Sequence, residues 1–305
     1  MTPRSRGFVL VNALVLVAAL AGIATFLLAR AEGARARAHE AQGAAQARLY
    51  LDAFEALSIG ILSSDRAGGG MDHPGEDWAR ADYDVPLDRG RVAGEIADMQ
   101  ALFNVNWLAN PSDTLARDGF ELLVTRLGLR PGLAEEIPAF LSRTGPADKT
   151  AYARADPPLR PVGGPVLFLD QLLDMRGLGP RDLDRLRPYL TALPGSQPLN
   201  VNTAPALVLQ AMMPGIGPVV ADRLLQSRRL EPFVSVDDFV MRLGGLGATA
   251  VLSEEDLPRF AVGSSWFRAD IHATLDGHSR HRMTVFERPP LPAGIRVAYR
   301  LARVP

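Results

Sequence analysis

Residues 8–29 read FVLVNALVLVAALAGIATFLLA, an uncharged run in which Asn12 and Thr25 are the clearly polar side chains. At about 1.5 Å per residue a helix of this length crosses a hydrocarbon core of roughly 30 Å. The run is longer than the apolar core of a secretory signal peptide, and it continues into more helix instead of a small-residue cleavage site. Hydropathy alone is satisfied equally by an uncleaved signal anchor. Downstream, the chain stays rich in Ala, Gln, Glu and Arg and free of proline to about Leu62, so the spacing predicts one rod over 8–62. Ala34, Ala38, Ala41, Ala45 and Leu49 recur every three or four residues. They predict a narrow small-residue stripe that Phe54, Leu57 and Ile61 continue with larger side chains. A plain stalk without partners would show the same stripe.

The join Arg6-Gly7-Phe8 closes a seven-residue basic leader with glycine, directly before the phenylalanine that opens the apolar run. This resembles the leader of type IV pilins and of type II secretion pseudopilins. The resemblance implies that a prepilin peptidase cuts between Gly7 and Phe8 and methylates the new amino terminus. It also implies a glutamate five residues after the cut, where this chain has Asn12. A carboxylate inside the bilayer is costly unless a cation meets it, and in a growing filament that cation is the terminal amine of the preceding subunit. A first subunit has no predecessor, so the neutral Asn12 suits a protein that starts or caps a filament. It would equally suit one that joins none.

The remainder of the 305 residues is long enough for one large or two medium domains, and 47% hydrophobic residues is the content of a folded protein. A net charge of −1 argues against a general polyanion-binding surface. Cysteine is absent, which removes disulfides, thiolate metal sites and cysteine nucleophiles. Arginines flank the apolar run on both sides, so orientation is taken from the leader and not from charge.

Beyond the rod, Ser63-Ser64-Asp65 and Gly68-Gly69-Gly70 predict a loop. Residues 91–99 are strand-prone, and 101–106 could add a second short strand. A helical region over 107–260 is broken by Pro157-Pro158 and Gly163-Gly164-Pro165. Strand character returns over 266–275, 280–287 and 295–304, with Asp276-Gly277 at one turn. A sheet whose early and late strands lie so far apart must close around what lies between. The predicted class is therefore α+β: a long N-terminal helix packed on an antiparallel sheet, with a large all-helical domain inserted between the strands. The expected division is a leader at 1–7, a helix at 8–62 with 8–29 in the membrane, a sheet domain from 63–106 and 264–305, and a helical insert at 107–263.

That layout resembles the K pseudopilin family of type II secretion systems over essentially the whole chain. The matching pieces are Gly7-Phe8; the block Ile96-Ala97-Asp98-Met99-Gln100-Ala101-Leu102-Phe103-Asn104-Val105-Asn106, with Ala101 where the family has glycine; Leu193-Pro194; and Leu199-Asn200-Val201-Asn202-Thr203-Ala204. The resemblance implies a non-enzymatic minor pseudopilin anchored in the inner membrane by one span, with its body in the periplasm. It also implies that the protein starts and caps the pseudopilus tip with the I and J minor pseudopilins, and meets other pseudopilins and the prepilin peptidase.

Two hairpins compete with that reading. Gly177-Leu178-Gly179 and Gly215-Ile216-Gly217 each sit between helical stretches, and Gly244-Gly245-Leu246-Gly247 is a weaker third copy. The copy at 215–217 resembles the helix-hairpin-helix modules of competence-type DNA receptors, which hold phosphate on backbone N–H groups. After Gly217, however, come Pro218, Val219, Val220, Ala221 and Asp222 instead of lysine, serine or threonine, so nucleic acid is disfavoured. The alternatives are thus a membrane-tethered DNA receptor, for which Arg228 and Arg229 would supply charge, and a minor pilin of a type IV pilus. The five histidines are scattered without metal-ligand spacing. Oxygen-rich runs at 72–77 (DHPGED) and 253–256 (SEED) could hold calcium, and the resemblance points the same way, but neither has EF-hand spacing and no ligand is assigned.

Overall fold

The computed structural model describes residues 4–66, 70–80, 83–154, 156, 158–161, 163–247, 252–276 and 278–303. Residues 1–3 of the leader, Gly68 and Gly69 of the expected loop, Pro157, Gly277 and Val304 lie outside them. Helix α1 spans Arg4–Arg66 without a break, 63 residues and so about 95 Å. It outruns the predicted end at 62 by one turn, which Asp65 holds by pairing with Arg288 beyond the buried Leu62.

The face that α1 buries is the predicted one only in part: of the expected set Phe54 docks and Ile61 packs beside it, but Leu57 and the alanine stripe do not. Ala47, Tyr50, Leu51, Phe54 and Leu62 meet the sheet, whereas Ala34, Ala38, Ala41, Ala45 and Leu49 are exposed. Alanine periodicity alone does not tell the two sides of a helix apart. The bulky set at 50, 51, 54 and 62 buries far more apolar area than the alanines would, and it decides which side docks. The sheet provides a recess for it. Gly94 sits opposite Phe54, where a β-carbon would come within 2.7 Å of the ring.

Five antiparallel strands form the main sheet: β1 (Tyr83–Leu87), β2 (Gly90–Asp98), β7 (Trp266–Leu275), β8 (His278–Glu287) and β9 (Arg296–Arg303). They are hydrogen-bonded in the order β1-β2-β7-β8-β9. β2 and β7 are neighbours from Gly90↔Leu275 to Asp98↔Phe267, although the whole insert separates them in sequence. Phe267, Ala269, Ile271, Ala273 and Leu275 alternate toward α1, and Arg268, Asp270 and His272 toward the other face. β1 was not legible as a strand, since YDVPL carries Pro86 and two flanking acids. It lies at the sheet edge, where proline is tolerated.

The expected strand at 101–106 shrinks to β3 (Phe103–Asn104), which leaves the sheet and pairs in parallel with β4 (Leu190–Thr191). β5 (Leu199–Asn200) pairs in the same sense with β6 (Phe260–Ala261). Otherwise the insert is helical: α2 (Thr114–Arg126), α3 (Leu133–Leu141), α4 (Lys149–Ala153), α5 (Pro180–Leu186), α6 (Ala206–Met212), α7 (Pro218–Leu230) and α8 (Val236–Gly245). One continuous apolar core runs through it, from Phe103 and Phe120 to Phe233, Phe239 and Phe260.

Two short parallel pairs thus close two successive units, each opened by Asn-x-Asn. The first asparagine of each motif accepts the backbone N–H of the second, Asn106 N to Asn104 Oδ1 and Asn202 N to Asn200 Oδ1. The second asparagine then satisfies both backbone groups of one distant residue, Asn106 those of Val166 and Asn202 those of Phe233. Buried backbone that reaches no strand partner is thereby paired.

The insert leaves the sheet after Asp98 and returns before Trp266, at the sheet end where α1 also finishes. The β7–β8 hairpin at the opposite end lies over Ala36, Gly43 and Ala47, on the side where α1 comes up from its apolar half. The insert therefore crowns the body at the end farthest from residues 8–29.

Candidate functional site

The last turn of α1 and the crown meet at a buried polar junction. Arg288, just past β8, is 7% exposed. Its Nη1 donates to Asp65 Oδ2 at 3.0 Å, its Nη2 to Asp72 Oδ2 and the Ser264 carbonyl, and its guanidinium lies 4.7 Å from the Phe267 ring centre. Asp72 is fully buried. Its Oδ2 also accepts Ser264 N at 2.6 Å, while Oδ1 has no hydrogen-bond partner.

Beside it, the Asp98 carboxylate ties the sheet to the insert. Oδ2 accepts from Asn200 Nδ2 (3.0 Å), Thr203 Oγ1 (2.6 Å) and Ser264 Oγ (2.7 Å), and Oδ1 from Gln100 N (2.7 Å). Gln100 extends the seam by donating to the Pro198 carbonyl and accepting Ser265 N. The blocks at 96–106 and 199–204 therefore contact each other through Asp98, Asn200 and Thr203. Burial and the nearby Asp72 charge push the Asp98 carboxyl up to about 6, against the pull of those hydrogen bonds. Burial, with Glu76 and Asp72 close by, likewise raises Asp65 to about 6 despite Arg288.

Asp65, Asp72 and Glu76 bring ligand oxygens within 4.8 Å of one another. Three carboxylates answered by one guanidinium leave negative charge in excess, and the orphaned Asp72 Oδ1 marks where a donor is missing. All three residues offer hard oxygens, so the set fits calcium better than a softer metal, and these are the residues that would hold it. The oxygen-rich run at 72–77 thus divides. Asp72 and Glu76 converge, Glu76 accepting His73 N and Trp78 Nε1, whereas Asp77 points to solvent. Asp65 completes the group from the last turn of α1, a partner that sequence spacing does not reveal. At 253–256, Ser253 donates to Asp256 within an exposed turn, and among the described residues no third carboxylate joins them.

The predicted cut falls inside α1. Gly7 and Phe8 continue the helix, Phe8 is exposed, and Asn12 is exposed in the same apolar surface as Leu10, Val11, Leu14 and Val15. This is one helix long and apolar enough to cross a membrane, and none of its most apolar stretch is buried by the body.

The insert hairpins are built alike. Gly177 (φ +88°) and Gly215 (φ +94°) take left-handed backbone that other residues avoid, Leu178 and Ile216 plug the core, and Gly179 and Gly217 open α5 and α7 with proline next. Their polar surroundings are already committed. Arg130 donates to the Gly177 carbonyl and pairs with Glu136, and Arg185 caps the carbonyls of Leu127 and Gly128. Arg228 is turned inward onto the Val201 carbonyl at 2.7 Å, and burial, with Arg229 beside it, lowers it to about 10. Arg228 thus acts as a structural strut, unlike the solvent-facing phosphate contact a DNA receptor needs. Gly247 (φ +73°) ends the third copy, with residues 248–251 outside the described set.

Comparison with known proteins agrees with this geometry. Family profiles described as "Type II secretion system (T2SS), protein K" match residues 101–195 and 199–257, together about half of the chain. The type II secretion system protein K of Pseudomonas aeruginosa is 28% identical over 303 residues, covering 92% of this chain and 88% of the relative. That of Pectobacterium carotovorum subsp. carotovorum is 30% identical over 223 residues, covering 67% and 68%. A chain in the crystal structure of the GspK-GspI-GspJ complex from the enterotoxigenic Escherichia coli type 2 secretion system has the same fold. It superposes with a TM-score of 0.76 at 22% identity, over 88% of this chain and all of that one.

Proposed function

We propose, on the premise that this chain belongs to the type II secretion system protein K family, that it is the minor pseudopilin that starts and caps the pseudopilus tip together with the I and J minor pseudopilins. The observation that carries the tip position is the crown. The insert sits at the end of the body farthest from the apolar run, where a subunit stacked above would have to occupy the same space. Below it, α1 offers an exposed apolar segment at 8–29 and the exposed small residues Ala34, Ala38, Ala41 and Ala45, which allow close approach of neighbouring helices.

In this reading the leader is cut between Gly7 and Phe8 by the prepilin peptidase, and Phe8 is methylated. Residues 8–29 hold the protein in the inner membrane, and the body faces the periplasm. Asn12 removes the charge that would require a preceding subunit, so first place costs no unpaired carboxylate in lipid. The role is mechanical and not enzymatic, and the crown marks the leading surface of a short secretion filament.

Mixing the protein with its I and J counterparts and weighing the product by light scattering is the test. A stoichiometric ternary complex is expected. A strictly monomeric protein beside both partners would refute the proposal.

A further inference from the structure

Between the outer face of the sheet and the crown runs a crevice of about 610 Å³. Its inner end, at Thr191 and Arg268, continues into a second hollow of about 300 Å³ reaching Asp98 and Thr203. Its charged walls are Glu95, Asp170 and Asp270 against Arg187 and Arg268. Both arginines are engaged, Arg187 with Asp170 and Arg268 with Asp270 at 3.1 Å. Glu95 is left over. It stands directly across from Asp270 on neighbouring strands, an arrangement of like charges that destabilises a sheet unless a cation meets it. Among the described residues no cation pairs with Glu95, and Arg91, on the same strand, is taken by Asp84.

A second, independent sign comes from the opposite wall. Thr191 is 3% exposed, lines the crevice, and its Oγ1 has no hydrogen-bond partner. A buried hydroxyl without a partner carries a cost that a ligand would relieve. The rest of the lining is mixed: His272 and His281 stack on each other with His281 Nε2 3.7 Å from Asp270, Tyr299 adds a phenol, and Met99, Met283 and Phe168 form apolar, adaptable sides.

We propose that this crevice receives one basic side chain, an arginine or lysine presented by a partner polypeptide. A single positive charge balances the wall, an aliphatic stem suits the methionine-lined sides, and a remaining N–H of the head reaches Thr191 Oγ1. A carboxylate-bearing side chain would instead add a fourth negative charge beside Glu95. The inference does not depend on the filament role.

The test uses the full chain in detergent micelles with methionine methyls labelled with ¹³C, titrated with acetyl-Gly-Arg-Gly-amide or its lysine analogue. The Met99 and Met283 signals should shift and saturate, while Met212, buried in the insert core, stays still. Glu95→Gln, at an exposed position, should keep the native spectrum and weaken the response about fivefold or more, and Thr191→Val should weaken it about twofold. No shift, an equal shift with acetyl-Gly-Glu-Gly-amide, or an unaltered affinity in Glu95→Gln would overturn the proposal.

Discussion

Asp98 shows how one side chain can tie two domains together. From the end of β2 it takes four hydrogen bonds from groups contributed by the turn that follows the strand, the insert and the loop before β7. Removing it leaves those donors buried without an acceptor, and Asp98→Ala should cost about 2–4 kcal/mol in denaturant unfolding. Its pH behaviour has a definite sign. The folded-state carboxyl sits near 6, above the ordinary 3.8, so its contribution favours the folded state at low pH and is lost as pH rises through about 6. The stability of the wild type relative to Asp98→Asn should therefore fall between about pH 4 and pH 6.5 and level off above it. A difference that is flat or rising with pH would contradict the assignment. Next door, calcium should raise the unfolding midpoint of the wild type and a chelator should return it, and Asp72→Asn should abolish the response. Asp98, Asn200 and Thr203 all lie in blocks that stand out in the sequence. Asp65 and Arg288 do not, because a helix end and a strand end far apart in the chain carry no local signal that they meet.

At the scale of elements, the strands with clean alternation were legible: 266–275 emerges as β7 with the same bounds, and 295–304 as β9 (Arg296–Arg303). The docking side of α1 was half legible: Phe54 stood in the expected set and docks, but the alanines before it do not. Alanine reads as apolar in a periodicity count yet gains little by burial, so the alanine stripe looks like the continuation of the docking face, while Tyr50, Leu51 and Phe54 make the contact. The consequence is testable from both sides. Phe54→Ala should cost about 3–5 kcal/mol, read by thermal or denaturant unfolding. Ala45→Leu, on the exposed side, should leave unfolding within about 0.5 kcal/mol of wild type and lower the yield of complex with other minor pseudopilins. The Asn-x-Asn strings were visible but opaque: nothing in one sequence says that each asparagine pair replaces strand hydrogen bonds at the start of a helical unit.

For the whole molecule, the order helix, strands, insert, strands could be read from the sequence because each change of periodicity was long enough to register. The position of the insert relative to the membrane could not. It follows from β2 and β7 being neighbours whose free ends point along α1 away from its apolar half, a fact of sheet register. That geometry gives the chain a greasy foot, a small-residue neck and a broad head, the shape of a subunit that goes first. The claim underneath is that the foot is released from its basic leader so that it can pass from lipid into a bundle of like helices. Mass spectrometry of the amino-terminal peptide of the protein purified from membranes tests this most directly. The account predicts a chain beginning at N-methylated Phe8; a mature chain still beginning at Met1 would contradict it.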